Sequence, residues 1–385
     1  MKNAAGAEVT SAGKINVFFL EKCLFYSGMN HTRNIKSAAL AGMLFIISGL
    51  TLVSCPRPVN TIVRPVKADG QYDTEYPSAN CAGELERISQ SIKLLNSIAY
   101  YKQYVFPDSI RIRYKEIDRT ILNSPDNEIN YFNNTASGTA TLILSTQNSV
   151  ALVTCAHIVD FPDTIIRYMR GDFRNKTYIK SIAYKEKQTN YINDLPDGRD
   201  IEILLIDPEN DIAIAGRHNE IATGNAPPQP VLQCPIGKAR DLQWGNFVYL
   251  MGFPRGNKMI SSGLVSDPNR GRDGGFLVDT PFNRGFSGGI VLAIRDGVPN
   301  FELVGIAKSA AAEFEHILTP SERTDFSQYD AFTPYDGEMY IQNKASIQYG
   351  VTNIVPIETV LRIIRQNSRH FSLLGYDFRQ FLESK

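Results

Sequence analysis

Ser287 lies in the run Arg284-Gly285-Phe286-Ser287-Gly288-Gly289. Glycine on both sides of a serine lets an acyl substrate come close to the backbone and lets amide groups converge on one point. A serine hydroxyl becomes a nucleophile only beside a base. Of the five histidines, His157 is the best placed to be that base, because it ends the apolar run Ala151-Leu152-Val153-Thr154-Cys155-Ala156. A histidine at that point is held by a rigid element yet can face a cleft. The third requirement is a carboxylate that fixes the imidazole tautomer and stabilises the imidazolium. Asp211 directly precedes Ile212-Ala213-Ile214-Ala215, so it is delivered by the mouth of a buried strand, where a charge is costly without a partner. Together the three groups can carry out acyl transfer, a chemistry that calls for no metal and no organic cofactor.

These side chains need strands to hold them. Residues 140–145 and 150–153 are apolar and bracket a polar turn, which reads as a hairpin. Residues 110–115 alternate apolar with basic, and further short β segments are expected at 178–184, 201–206, 212–215, 247–251, 275–279, 290–294 and 303–307. With 28 Gly and 20 Pro to make turns, the pattern is that of an all-β barrel or sandwich. Two helices flank it. Leu85, Ile88, Ile92, Leu95 and Ile98 recur at steps of three and four, which predicts a helix over residues 83–104, and residues 356–366 read as a closing helix. Gly285-Phe286-Ser287-Gly288-Gly289 also satisfies the Gly-x-Ser-x-Gly elbow of α/β-hydrolases. That fold needs a helix after the serine and a histidine downstream. Residues 290–294 are strand-like instead, and neither His316 nor His370 stands in a strong motif.

At these residues a resemblance emerges. Thr154-Cys155-Ala156-His157 resembles the histidine motif of trypsin-like peptidases, and Asn210-Asp211-Ile212-Ala213-Ile214-Ala215 resembles their aspartate motif. Residues 248–255, 262–266 and 279–289 then resemble, in order, second-barrel segments of the HtrA-like branch. The resemblance covers about residues 135–365. It implies two six-stranded antiparallel β-barrels of chymotrypsin-like fold, with His157, Asp211 and Ser287 as catalytic residues and the amides of Gly285 and Ser287 as the oxyanion hole. It further implies that the strand Ile306, Ala307, Lys308, Ser309 and Ala310 pairs with a protein or peptide substrate, with Pro281 near the floor of the specificity pocket and Ala310 at its wall. Two positions depart from the family. Phe286 stands where digestive enzymes carry an aspartate and HtrA-like enzymes a small polar residue, and Ile290 replaces a proline. A bulky neighbour could distort the oxyanion loop, which makes a catalytically silent, peptide-binding member of the fold the alternative expectation. No PDZ domain is expected after residue 366.

The N-terminal part carries a different message. Met29 opens a short basic region with Arg33 and Lys36, followed by the uncharged residues 38–53, too short for an ordinary membrane span. It ends in Leu52-Val53-Ser54-Cys55, which resembles the lipobox of bacterial lipoproteins and implies a lipid on Cys55, a membrane partner through that anchor and a place in the bacterial cell envelope. Residues 1–28 lie upstream of the plausible start. Cys81, Cys155 and Cys234 follow no metal spacing and allow one bridge at most. Lys plus Arg equals Asp plus Glu, 40 of each, so no overall field gathers polyanions and nucleic acid is not an expected partner.

The chain therefore divides into an upstream segment and signal (1–54), a tether (55–80), an N-terminal helical extension (81–130), the peptidase-like body (131–368) and a C-terminal tail (369–385). Within the body, residues 311–345 make a connection far longer than a usual hairpin loop. Phe314, Phe326, Tyr329, Phe332, Tyr335 and Tyr340 lie in it, and it is expected to be ordered beside the cleft.

Overall fold

The computed structural model describes residues 68–169, 176–195, 200–218, 229–320, 332, 334–335, 337 and 339–384. Cys55 and the signal lie outside these residues, as do Phe326 and Tyr329. Among the described residues no helix is long and apolar enough to cross a membrane.

The first half is one antiparallel sheet of β1 (Ile92–Val105), β2 (Glu128–Ser145), β3 (Ser149–Thr154), β4 (Thr164–Tyr168), β5 (Ile179–Ile192), β6 (Glu202–Asp207) and β7 (Ile212–His218), in the order β4-β5-β1-β2-β3-β7-β6. The second half is a closed barrel of β8 (Phe247–Gly252), β9 (Met259–Arg270), β10 (Gly275–Val278), β11 (Ile290–Ile294), β12 (Phe301–Pro320) and β13 (Met339–Pro356). This is the expected all-β, chymotrypsin-like pairing of two lobes, with one correction. The first lobe has seven strands and its end strands β4 and β6 do not pair, so it is an open half-barrel and not a closed six-stranded one.

The reason lies in residues expected to be helical. Only Ala82–Ser89 form a helix (α1); β1 then pairs with β2 from Ile92↔Thr141 to Val105↔Glu128, and with β5 on its other edge. Leu95, Ser97, Ala99 and Tyr101 are buried at steps of two. The buried period-two face includes a small polar residue, whereas the apolar residues alone also fit a helical stripe. Tyr100, Tyr101, Tyr104 and Val105 suit a pleated surface, and pairing on both edges decides the outcome. Residues 110–115 also depart from expectation. Ile112 makes only an isolated bridge to Ile179, and Tyr114–Glu116 form a 3-10 turn.

A single helical turn, α2 (Arg119–Leu122), is capped by Asp118. The closing helix α3 (Ile357–Gln366) buries Val360 and Ile364 in an apolar cluster shared with Leu152 and Ile214 of the first sheet and Met251, Leu292 and Ile306 of the barrel. The two halves thus share an interior, each buried aliphatic side chain contributing about 1.5–3 kcal/mol. The C-terminal residues are not a loose tail. They form α4 (Ser368–Leu373) and α5 (Arg379–Leu382), with Phe371 and Phe378 buried edge-to-face. Part of the expected tether is docked as well. The Asp73 amide donates to the Ile294 carbonyl, and Phe247 donates back to Asp73.

Candidate active site

β3 is buried along its whole length between β2 and β7, and it ends in a 3-10 turn, Ala156–Ile158, that carries His157. β7 begins at Ile212, so Asp211 is the last residue of the preceding turn. Its backbone is left-handed, at φ 57°, a conformation that aspartate tolerates better than most residues. Asn210 stiffens the same turn by donating from its amide and side chain to Asp207. The Asp211 carboxylate accepts from the His157 backbone amide at 2.9 Å and from Nδ1 at 2.8 and 3.1 Å, while its carbonyl accepts from the Ala156 amide. A carboxylate facing Nδ1 favours the tautomer with its proton there, which in the neutral ring leaves Nε2 a lone pair. The carboxylate is 12% exposed and the imidazole 48%, so the acid is enclosed while the base faces solvent.

The loop that carries Ser287 comes from the barrel. Gly285 at φ 106° and Gly288 at φ 81° both occupy the region that side chains disfavour. Neither has room for one: a Cβ on Gly285 would lie 2.2 Å from the Phe253 carbonyl oxygen, and one on Gly288 would lie 2.0 Å from that of Thr139. The Arg284 carbonyl accepts from the Arg255 amide and the Gly285 carbonyl from Thr139 Oγ1 at 2.6 Å. The Ser287 carbonyl accepts from the Thr139 amide at 2.8 Å. Among the described residues, the amides of Gly285 and Ser287 donate to no protein group. They are the pair the sequence assigned to an oxyanion hole. Ser287 is buried, and its hydroxyl donates to the Lys308 carbonyl at 3.2 Å; no hydrogen bond joins it to His157.

The Phe286 ring is buried in the barrel core with Val278, Phe282 and Ala307, 6.0 Å from the Phe282 ring.

Sequence reasoning missed Thr139. This threonine, fully buried in β2, uses every polar group it has. Its hydroxyl donates to Gly285 and accepts from the Phe253 amide at 2.9 Å, its amide donates to Ser287, and its carbonyl accepts from Thr154 Oγ1 at 2.7 Å. It ties the half that holds the base to the loop that holds the nucleophile. Nothing local marks it out, since Asn133, Asn134, Thr135, Ser137 and Thr141 make polar residues common in the same strand.

The substrate-strand assignment narrows. Ile306 and Ala307 are fully buried, with Ile306 paired to Ile290; the Ala307 amide donates to Gly289, and its carbonyl accepts from Gly288. Lys308, Ser309 and Ala310 remain half-buried and accessible, and Pro281 is exposed. The Cys155 sulfur, with His157 and Asp211, makes a group whose possible ligand atoms lie within 4.8 Å of one another. All three are already engaged, since the Cys155 thiol donates to the Ala307 carbonyl. Burial also pushes that thiol well above its ordinary pKa, which disfavours the thiolate a metal needs.

Residues 138–306 match the family model of the trypsin-like peptidase domain. This segment is peptidase-like. It contains His157, Asp211, Ser287 and Thr139. A comparison with curated proteins returned no match. Among solved structures, the serine endoprotease from Yersinia pestis is 15% identical with a TM-score of 0.34, over 77% of this chain and 68% of that one.

Proposed function

We propose that the protein is a serine endopeptidase that hydrolyses peptide bonds through an acyl-enzyme, with His157, Asp211 and Ser287 as its triad. The observation that carries this reading is the conjunction of a carboxylate-bound His157 with two unpaired amides, Gly285 and Ser287, flanking a buried serine. In the first step Ser287 Oγ turns from Lys308 to His157, gives its proton to Nε2 and bonds to the scissile carbonyl carbon. The two amides donate to the oxygen as it gains charge, each worth about 3 kcal/mol by the usual measure of such donors. The carbon–nitrogen bond breaks as His157 passes the proton to the leaving amine. Water then attacks the ester, with His157 again as base, and releases Ser287.

The donation of Ser287 to Lys308 instead of His157 favours one second reading, a silent peptide-binding protein on the same scaffold. A fluorophosphonate probe separates the two, because it labels a serine only where base and oxyanion hole are organised. Labelling of Ser287 that disappears in His157→Ala is the expected result; no labelling of the intact protein means the scaffold only binds. We further propose that Cys55 carries a lipid that holds the body at a bacterial envelope membrane. Metabolic incorporation of a fatty-acid analogue that survives in Cys55→Ser would refute this.

A further inference from the structure

β12 is unusual in how its two edges are used. One edge pairs with β13 from Gly305↔Pro356 to Pro320↔Met339, with register shifts between Ala307 and Ser309 and between Ala310 and Ala311. The other pairs with β11 only from Phe301 to Ile306, and the contacts of Ala307 with Gly288 and Gly289 end that seam. From Lys308 to Pro320, β12 therefore has one edge with no strand beside it among the described residues. The free edge begins at the nucleophile, since Ser287 Oγ rests on the Lys308 carbonyl. It then continues past the accessible residues Ser309 and Ala310 into the ribbon that β12 forms with β13. At the far end of that ribbon the cross-strand partners Leu318 and Ile341 are 67% and 73% exposed, with Met339 nearby at 45%.

Resting on the peptidase reading, we infer that the whole edge of residues 308–320 is a docking strand for the substrate, so that the protein selects long extended polypeptide segments over short peptides. A chain that adds antiparallel to β12 with its scissile bond at Ser287 places its preceding residues successively further along the ribbon. At about 3.3 Å per residue, the edge can align about ten of them. Each second residue of the incoming chain directs its amide and carbonyl at β12, so affinity comes from the backbone and tolerates varied side chains. Leu318 and Ile341 offer apolar contact to the segment farthest from the cut. An exposed edge of this length otherwise invites pairing with another copy of the chain. The position of the edge favours the substrate: it begins at the Lys308 carbonyl on which Ser287 Oγ rests, so a chain bound along it is held in register by the reacting carbonyl.

The test uses quenched fluorescent peptides with three, six, nine and twelve residues before one scissile bond. kcat/KM is expected to rise at least tenfold from the shortest to the longest, chiefly through KM. In the twelve-residue peptide, N-methylation of alternate amides should lower kcat/KM for one parity of positions and spare the other. Replacing residues 315–344 by a short Gly-Ser linker should abolish the length dependence while the three-residue peptide is still cut. Binding of the same peptides to Ser287→Ala reads the pairing without catalysis, so failure of the peptidase reading is seen separately as absence of turnover at every length. Flat kcat/KM and flat binding, or N-methylation effects without parity, would overturn the inference. So would a dimer that the linker variant dissolves with no change in peptide affinity.

Discussion

The two halves of the site are held in opposite ways. The His157–Asp211 corner is joined through one enclosed carboxylate side chain, which accepts from the His157 backbone amide and, with both oxygens, from Nδ1. The Ser287 loop is hydrogen-bonded to its surroundings through its backbone, by the carbonyls of Arg284, Gly285 and Ser287, while the Ser287 hydroxyl rests on Lys308. On the proposed reading, His157 is oriented before substrate arrives, and the Ser287 hydroxyl has to leave Lys308 to join it. What must not move is the backbone, because the free amides of Gly285 and Ser287 are useful only while their neighbouring carbonyls stay tied.

This contrast ranks the substitutions. Asp211→Asn strikes the side-chain corner: an amide can present its NH2 to Nδ1 and so favour the wrong tautomer, leaving Nε2 protonated and unable to act as a base. A fall of about 10³–10⁴ in kcat is expected, with little change in KM. A fall below tenfold would mean that His157 is oriented by something else. Thr139→Val strikes the backbone side. The substitution keeps the shape and removes the hydroxyl, leaving the Gly285 carbonyl and the Phe253 amide without their partner, at a cost of about 1–3 kcal/mol for each buried group. If Thr139 positions the oxyanion loop, kcat and fluorophosphonate labelling should both fall about 10–100-fold well below the melting temperature, KM should hold, and Thr139→Ser should restore them. A lower melting temperature with unchanged kcat would reduce Thr139 to a packing role.

The same contrast explains what could be read from sequence. His157 and Asp211 flank short apolar strands and Ser287 lies in a glycine-flanked turn before another, so local pattern together with the resemblance pointed to them. Thr139 could not be found in that way, because its role is set by Gly285 and Phe253, which reach it only through tertiary structure. β1 was misread for a related reason: Leu85, Ile88, Ile92 and Leu95 satisfy a helical stripe, and only pairing with β2 and β5 makes the second part a strand. That strand sits between β5 and β2 in the seven-stranded sheet. In the 311–345 segment the described arms are the ends of β12 and β13, a pairing that the sequence pattern did not reveal; residues 321–331 lie outside the described residues.

A second tie between the halves sharpens the comparison at its weakest point. Cys155, two residues before His157, donates its thiol to the carbonyl of Ala307 at 3.3 Å, the same carbonyl that accepts from Gly288. A thiol is a poor donor, and the Ala307 carbonyl keeps the Gly288 amide without it. Cys155→Ala should therefore change kcat less than about threefold, far less than Thr139→Val, its cost falling mainly on stability through the space it leaves. The thiol should also be chemically silent. Cys155 and Cys234 are buried, with burial holding the first well above its usual pKa and pushing the second up to about 12, whereas Cys81 is partly exposed. Because alkylation needs thiolate and access, native protein treated with iodoacetamide should carry the label on Cys81 and not on Cys155 or Cys234, which react only through opening of the fold. Fluorophosphonate labelling of Ser287 should be unaffected by this treatment. Rapid labelling of Cys155 with matching loss of serine reactivity would show that the seam between the halves opens in solution, and the fixed backbone on which the comparison rests would have to be abandoned.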